Sequence, residues 1–294
     1  MDKVMVDPER CTMCGLCIQA CPRDILVEGA KTAQTIGPDR CYYCGHCKAV
    51  CPENALLFPG LPEESFEPVL AAAERPNPDG LLLQFRSRRT TRRFRPDPVE
   101  KEKLDKIIQA GRYAPTAHNN QAVNYLIVRS PQALADLKEQ AIKALADLVK
   151  EYGKPKETTS EKQSSSRKQI GVTQTAHGFP SGLKKKVEAA QRGQDLLFYN
   201  APVLVICHTD PSKTSFPTWD VGLANMQMIL MAEVLGLGTC LNGALVNAIE
   251  HSAELRASLP IPGEHEIHVS FMVGYPALKF LRTVYRNPAP VTWI

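Results

Sequence analysis

The sequence lacks the features that mark membrane and exported proteins. Its longest apolar stretch, residues 226–241, contains Glu233 and is shorter than the roughly 18 residues that a membrane-spanning helix needs. The first ten residues contain no apolar segment of the kind found in secretory signals. We therefore expect no membrane segment, no signal peptide and no membrane partner.

Three common signatures of function are also missing. No G-x-G-x-x-G follows a predicted strand, so a Rossmann nucleotide domain is not indicated. No Ser-His-Asp set or pair of catalytic carboxylates can be assembled. The net charge is only +4 and aromatic residues make up 6% of the chain, so nucleic-acid binding is not expected.

Cysteine, by contrast, is abundant and regularly spaced. Eight of the ten cysteines lie in two runs, 11–22 and 41–52, that both read C-x2-C-x2-C-x3-C-P. This spacing is typical of cubane iron–sulfur clusters. The alternative is a pair of zinc knuckles, but these usually combine two C-x2-C units across a longer spacer. Because thiolate ligands need a reducing compartment, the spacing also predicts a cytoplasmic protein.

The first 60 residues resemble bacterial-type ferredoxins with two [4Fe-4S] clusters. In those proteins the fourth cysteine of each run binds the cluster of the other run. The resemblance therefore implies two ligand sets: Cys11, Cys14, Cys17 and Cys51 for one cluster, and Cys41, Cys44, Cys47 and Cys21 for the other. Gly15 and Gly45 would let the backbone pass close to the cluster sulfides.

The composition divides the chain into two domains and a linker. Residues 1–60 form the cysteine-rich domain, residues 61–80 are rich in Pro and Glu and are predicted to be a linker, and residues 81–294 form the second domain. Helices and strands mix there without regular βαβ alternation, which predicts an α+β fold. Residues 154–195 are predicted to be a lid or an insertion, because much of this stretch is polar and aperiodic.

Apolar periodicity predicts the elements of the second domain. The predicted helices are one starting at Asp97-Pro98 and those at 131–152, 184–197, 220–237 and 246–259; the predicted strands are 124–128, 202–207 and 267–273.

Arginine is concentrated at one place, with six Arg among residues 86–95. The guanidinium fork is well suited to phosphate. A nucleic-acid patch is disfavoured by the mild net charge. Charge alone does not separate the other two interpretations, a solvated basic stretch and a phosphate site for a cofactor.

The neighbouring segments favour the cofactor. Residues 114–121, 235–243 and 274–282, together with Arg88-Arg89-Thr90-Thr91-Arg92, are similar to the flavin-binding segments of the nitroreductase family and occur in that family's order. The resemblance covers residues 81–294. With the first 60 residues it extends to ferredoxin–nitroreductase fusions, which implies FMN bound at a homodimer interface.

Carried over by position, the resemblance implies a set of FMN contacts. The phosphate and ribityl chain would be held by Arg88, Arg89, Thr90 and Arg92, and Arg282 would close on the phosphate. The flavin or ribityl chain would be contacted by Asn119 and Gln121. The ring would be lined by the backbone of Leu241, Gly243 and Ala244. Thr90 stands where the family usually has Ser, and Ala122-Val123 where it often has Pro-Trp.

Four other sites are weaker candidates. His118 could donate a proton to substrate, but a His in such a turn more often contacts solvent or a partner subunit. Cys240 could be redox-active beside the flavin, whereas Cys207 is expected to pack as a small apolar residue. Lys184-Lys185-Lys186 is expected to be a solvated face.

Together these features predict an FMN-dependent oxidoreductase that is fed by its own clusters and reduces a small organic acceptor such as a nitroaromatic compound. A reductive dehalogenase, a quinone or alkene reductase, and a module that passes electrons to a protein partner remain alternatives. The expected donor is a low-potential carrier such as ferredoxin, with NAD(P)H as the alternative.

Overall fold

The computed structural model describes residues 3–152 and 179–294. The chain forms two compact units. The first comprises residues 1–77 together with the short stretch 117–120, and the second comprises residues 78–116 and 121–294. Of the predicted lid, residues 154–178 lie outside the described residues.

The first unit is built from two short helices and two small antiparallel sheets. The helices are α1 (Leu16–Ala20) and α2 (His46–Ala49), and the sheets pair β1 (Met5–Val6) with β4 (Leu56–Leu57) and β2 (Leu26–Glu28) with β3 (Ala33–Thr35). A small apolar core is shared with the buried Cys17 and Cys47. Because so small a core supplies little stability, we expect metal binding to contribute much of the folding energy of this unit.

In the predicted linker, residues 63–74 do not form one helix. They contain two short 3-10 turns, Glu63–Ser65 and Ala72–Glu74. The first turn is tied to the first unit, because Glu63 accepts a hydrogen bond from the buried Lys48 at 2.8 Å. The part of the chain that belongs to the first unit therefore continues beyond residue 60.

The second unit contains seven helices and four strands within the described residues. The helices are α3 (Pro78–Ser87), α4 (Lys101–Arg112), α5 (Pro131–Tyr152), α6 (Phe179–Gln191), α7 (Pro217–Val234), α8 (Gly243–His251) and α9 (Ala253–Ser258); the strands are β5 (Val123–Val128), β6 (Val203–Thr209), β7 (Gly238–Leu241) and β8 (Glu266–Gly274). The strands form one antiparallel sheet in the order β5-β6-β8-β7, which confirms the α+β class.

The sheet is buried on both faces. Side chains alternate between the faces along β6, as they must in a strand. Leu204 and Ile206 belong to the cluster that includes α5 and α8, whereas Val205 and Cys207 belong to the cluster that includes α4 and α7. No helix within the described residues is long and apolar enough to span a membrane.

The predicted elements are largely present, with α5 at the predicted bounds. Helix α4 begins at Lys101, three residues after Pro98. The predicted helix 246–259 is two helices, because Ser252 adopts an extended conformation and its hydroxyl caps α9 by accepting the N–H of Leu255. Strand β7 was not among the predicted strands, because it is only four residues long and begins at a glycine.

Gly238 in β7 allows a close approach of Thr91. A Cβ atom at position 238 would lie 2.7 Å from Cβ of Thr91 and would also clash with its hydroxyl. We expect Gly238→Ala to lower the free energy of unfolding by about 1–3 kcal/mol, the usual cost of overpacking. Urea denaturation measures this change.

Gly222→Ala is the matched control. Gly222 lies in α7 with open space at the Cβ position, so alanine there should stabilise the protein by up to about 1 kcal/mol. Equal stabilities of the two variants would contradict the proposed close packing at Gly238.

Candidate functional site

Each predicted cysteine set lines one cavity of the first unit. The first cavity, of about 110 Å³, is lined by Cys11, Cys14, Cys17 and Cys51 among other residues. The second, of about 20 Å³, is lined by Cys21, Cys41, Cys44 and Cys47. Each cavity takes three cysteines from one run and the last cysteine from the other, which is the crossover that the predicted pairing requires.

The two runs share an unusual backbone conformation. Met13 and Tyr43, at equivalent positions, have φ of 59° and 55°, and Gly15 and Gly45 have φ of 73° and 74°. Left-handed backbone is uncommon for residues other than glycine, so its repetition shows that the two runs fold in the same way. It also explains why glycine follows the second cysteine of each run.

The electrostatics of the thiols reflect the same grouping. Burial is the main cause that raises the pKa of Cys17, and Cys51, Cys11 and Cys14 raise it further. Burial likewise raises the pKa of Cys47 to about 12, with added effects of Cys44, Cys21 and Cys41. Thiolates packed this closely repel one another, so the ionised set needs a positive centre such as bound iron.

No three His, Cys, Asp or Glu side chains within residues 3–152 and 179–294 converge closely enough to bind one metal ion. A cubane cluster has a different requirement, because each thiolate binds a separate iron atom. Four thiols must then surround a cavity instead of meeting at a point. The two cysteine sets fit this requirement.

In the second unit, the arginine-rich segment lies along the edge of the sheet. The N–H of Thr91 donates to the carbonyl of Thr239 in β7 at 2.8 Å, and the N–H of Arg95 donates to the carbonyl of Tyr275 at 2.8 Å. Residues 88–95, 238–241 and 274–277, which are far apart in the sequence, are thereby brought together.

The guanidinium of Arg89 is only partly hydrogen-bonded at this place. Its Nε and Nη2 atoms are buried without a hydrogen-bond partner in the described structure, and only Nη1 donates, to the carbonyl of Arg88 at 2.5 Å. Burying an unpaired guanidinium is costly. An anionic ligand such as a phosphate would supply the missing acceptors.

Glu233 from α7 is the acidic group of this region. Burial raises the pKa of its carboxyl, an effect that the charges of Arg88 and Arg89 oppose. Its Oε2 atom also has no hydrogen-bond partner among the described residues. A raised pKa makes this carboxyl easier to neutralise, which would weaken its repulsion of an anion held by Arg89.

The three predicted backbone contacts lie where β7 ends and α8 begins. Leu241 is the last residue of β7, and Gly243 and Ala244 begin α8. Asn242 between them was not predicted as a site residue, but it fixes the junction. Its side chain accepts the N–H of Leu245 at 3.2 Å and donates to the carbonyl of Leu197 at 3.1 Å. The preference of Asn for helix N-caps is the signal that could have identified it.

The residues of the predicted flavin turn have separate surroundings. Asn119 belongs to the first unit, where its Nδ2 donates to the carbonyls of Tyr42 and Tyr43 at 3.2 and 2.9 Å. The exposed His118 lies beside the ring of Tyr42, with 4.9 Å between the ring centroids. Gln121 belongs to the second unit and accepts a hydrogen bond from Arg112 at 3.4 Å.

The remaining candidates lie in different environments. Arg282 is exposed after β8, with no hydrogen bond or ion pair to the other predicted FMN residues in the part of the chain described. Cys207 is buried in β6 and burial raises its pKa to about 12, as expected for a packing residue. Cys240 lies in β7, and burial raises its pKa against the opposing charges of Arg92 and Lys186. Lys186 is not fully solvated, because it donates to the carbonyl of Leu196 at 2.6 Å.

A unit with two thiol-lined cavities, followed along the chain by an α+β unit, is the organisation that the predicted fusion requires. The chain belongs to the nitroreductase family, whose sequence model matches residues 85–275. The model of a 4Fe-4S dicluster domain matches residues 3–52. Both parts of the predicted fusion are thus confirmed.

Three solved structures show the likeness of fold. A nitroreductase with bound FMN from Bacteroides fragilis is 23% identical, with a TM-score of 0.54 over 72% of this chain and 98% of its own. A nitroreductase with bound FMN from Desulfitobacterium hafniense is 18% identical, with a TM-score of 0.53 over 72% and 97%. A BluB-like flavoprotein from Clostridium difficile is 19% identical, with a TM-score of 0.51 over 71% and 94%. No curated protein matches the chain in sequence.

Proposed function

We propose that the chain is an FMN-dependent oxidoreductase that receives electrons through two [4Fe-4S] clusters of its own first unit and reduces a small organic acceptor such as a nitroaromatic compound. The observation that carries this proposal is the presence of two complete four-cysteine cavities in a chain of the nitroreductase family. Two proteins of similar fold are described with bound FMN, which supports the choice of flavin.

Different residues of the chain would hold the clusters and the FMN. The eight run cysteines bind the iron–sulfur clusters, and their crossed pairing keeps the two sets adjacent. When bound, the clusters supply single-electron chemistry and FMN supplies one- or two-electron chemistry.

Arg89 is the strongest candidate for the FMN phosphate. Its unpartnered Nε and Nη2 atoms form the edge of the guanidinium fork that binds phosphate oxygens in pairs. We place Arg88, Thr90, Arg92 and Arg282 with it, and we assign the ring to the backbone of Leu241, Gly243 and Ala244. Gln121 stays a proposed flavin contact. Asn119 retains only its Oδ1 atom for that role, because its amide nitrogen is engaged.

The state of the thiols bears on the proposed location of the protein in the cell. All ten cysteines are free, and Cys14 is the one exposed thiol among them. Ligands of this kind require a reducing compartment, so we propose the cytoplasm as the location. We propose a low-potential carrier such as ferredoxin as the donor, with NAD(P)H as the alternative.

We further propose that the protein is a homodimer. Helix α3 has no buried residue, and Leu81, Leu82, Leu83 and Phe85 on it are 40–54% exposed. Trp219, Leu223 and Met226 of α7 are exposed as well. Apolar surface of this extent usually marks an interface between proteins.

Leu82→Glu tests the dimer. A carboxylate buried in an apolar interface has no partner, so this variant should shift the protein from dimer towards monomer in analytical ultracentrifugation. The control is Gln109→Glu, which adds the same charge at an exposed polar position of α4. A monomeric wild-type protein, or a Leu82→Glu variant that remains fully dimeric, would contradict the assignment.

Arg89→Ala tests the phosphate assignment. A hydrogen bond to a charged group contributes about 1.5–3 kcal/mol, so the Kd for FMN should rise by roughly ten- to a hundredfold. Fluorescence titration of the flavin-free protein measures it. Arg86→Ala is the control, since Arg86 lies exposed in the last turn of α3. Equal FMN affinity of wild type and the Arg89→Ala variant would show that the phosphate binds elsewhere.

Cys14→Ala tests the supply of electrons through the clusters. Protein prepared without air should contain iron, sulfide and FMN, and the variant should lose iron and sulfide and should show slower flavin reduction by a low-potential protein donor. Cys207→Ala is the control, because Cys207 lies outside the runs in the sheet of the second unit. Zinc in place of iron would contradict the cluster assignment. An unchanged rate of flavin reduction would contradict electron transfer to FMN through the clusters.

A further inference from the structure

Asn119 is tied to the loop that joins two predicted cluster ligands. Tyr42 and Tyr43 lie between Cys41 and Cys44, and both of their carbonyls accept hydrogen bonds from Nδ2 of Asn119, at 3.2 and 2.9 Å. The Asn119 side chain is half-buried. Both N–H groups of its amide therefore donate to this loop.

One of these carbonyls belongs to a peptide group that also contacts a ligand sulfur. The carbonyl of Tyr42 and the N–H of Tyr43 are the two ends of one planar peptide unit. That N–H donates to Sγ of Cys41 at 3.4 Å. By holding the carbonyl, Asn119 fixes the direction in which the N–H points, and so the hydrogen bond to the sulfur.

Asn119 supports the loop at a residue with an unfavourable backbone conformation. Tyr43 has a φ of 55°, in the left-handed region that is unfavourable for a bulky residue. Strained residues of this kind persist where the surrounding contacts hold them in place. The hydroxyl of Tyr43 donates to the carbonyl of Pro59 at 3.0 Å, and Lys3 donates to the carbonyl of Cys41 at 3.2 Å. Asn119 adds the contact at the strained peptide itself.

The first run has no equivalent arrangement. Met13 occupies the position of Tyr43 and has almost the same φ, 59°. Within the described residues, however, Sγ of Cys11 accepts no N–H from Met13, and no side chain plays the part of Asn119. In the first set the hydrogen bond to a sulfur comes from elsewhere, from the N–H of Ala55 to Sγ of Cys51 at 3.3 Å. The bond that Asn119 supports therefore belongs to the second set alone.

We propose that Asn119 is a positioning residue for the second cluster, the one held by Cys21, Cys41, Cys44 and Cys47, and that it raises the reduction potential of that cluster alone. This inference rests on the proposed function. A hydrogen bond to a ligand sulfur stabilises the more negative, reduced cluster and so raises its potential.

The test is a potentiometric titration of the full chain, reconstituted without air and followed by electron paramagnetic resonance of the two reduced clusters. Cys14→Ser and Cys44→Ser first assign each signal to a cavity, because each replaces a ligand of one set. Asn119→Ala should then make the midpoint potential of the second cluster, the Cys44-side cluster, more negative. The midpoint potential of the first cluster, the Cys14-side cluster, should stay unchanged. If Asn119→Ala does not retain both clusters, Asn119→Leu, of similar size, is titrated in its place.

Asn120→Ala is the matched control. Asn120 is the next residue and the same amino acid, but its exposed side chain makes no hydrogen bond in the described structure, so its variant should leave both midpoints unchanged. Unchanged midpoints in the Asn119 variant, or a shift of the Cys14-side cluster, would overturn the proposal. The cluster signals do not require FMN, so a protein without flavin would refute the proposed function and still allow this test.

Discussion

Buried groups that are charged when they bind a ligand need a counter-charge, and this constraint applies to both sites. The first unit surrounds each of two cavities with four cysteines, and burial raises the pKa of Cys17 and Cys47. The second unit leaves two nitrogens of the Arg89 guanidinium buried without acceptors. Neither arrangement is favourable by itself. Each would become favourable with a ligand of opposite charge, which we propose is iron in the first case and a phosphate in the second.

The features that could be predicted from the sequence are those set by spacing along the chain. The two cysteine runs, helix α5 and the α+β class follow from residue intervals and apolar periodicity. The features that could not be predicted depend on contacts between distant residues. Strand β7 exists because it pairs with β8 and because Gly238 admits Thr91. The break at Ser252 depends on one hydroxyl that favours a new cap over helix continuation.

The candidate site shows the same division. The arginine segment could be recognised by composition, but its position beside β7 depends on backbone bonds such as that from Thr91 to Thr239. Asn119 was predicted from family resemblance as a flavin contact, yet its amide nitrogen bonds to the loop between Cys41 and Cys44. A sequence motif shows which residues are present, but it does not show which of several nearby acceptors a side-chain amide will choose.

The first unit is discontinuous in the chain, since it includes residues 117–120. During synthesis the ribosome must therefore complete the first helices of the second unit before the last contacts of the first unit can form. The second cysteine loop would acquire its final geometry later than the first. Over evolution, a gene segment ending near residue 77 could not transfer this unit intact to another protein, because the turn that supports one of its loops is encoded forty codons downstream.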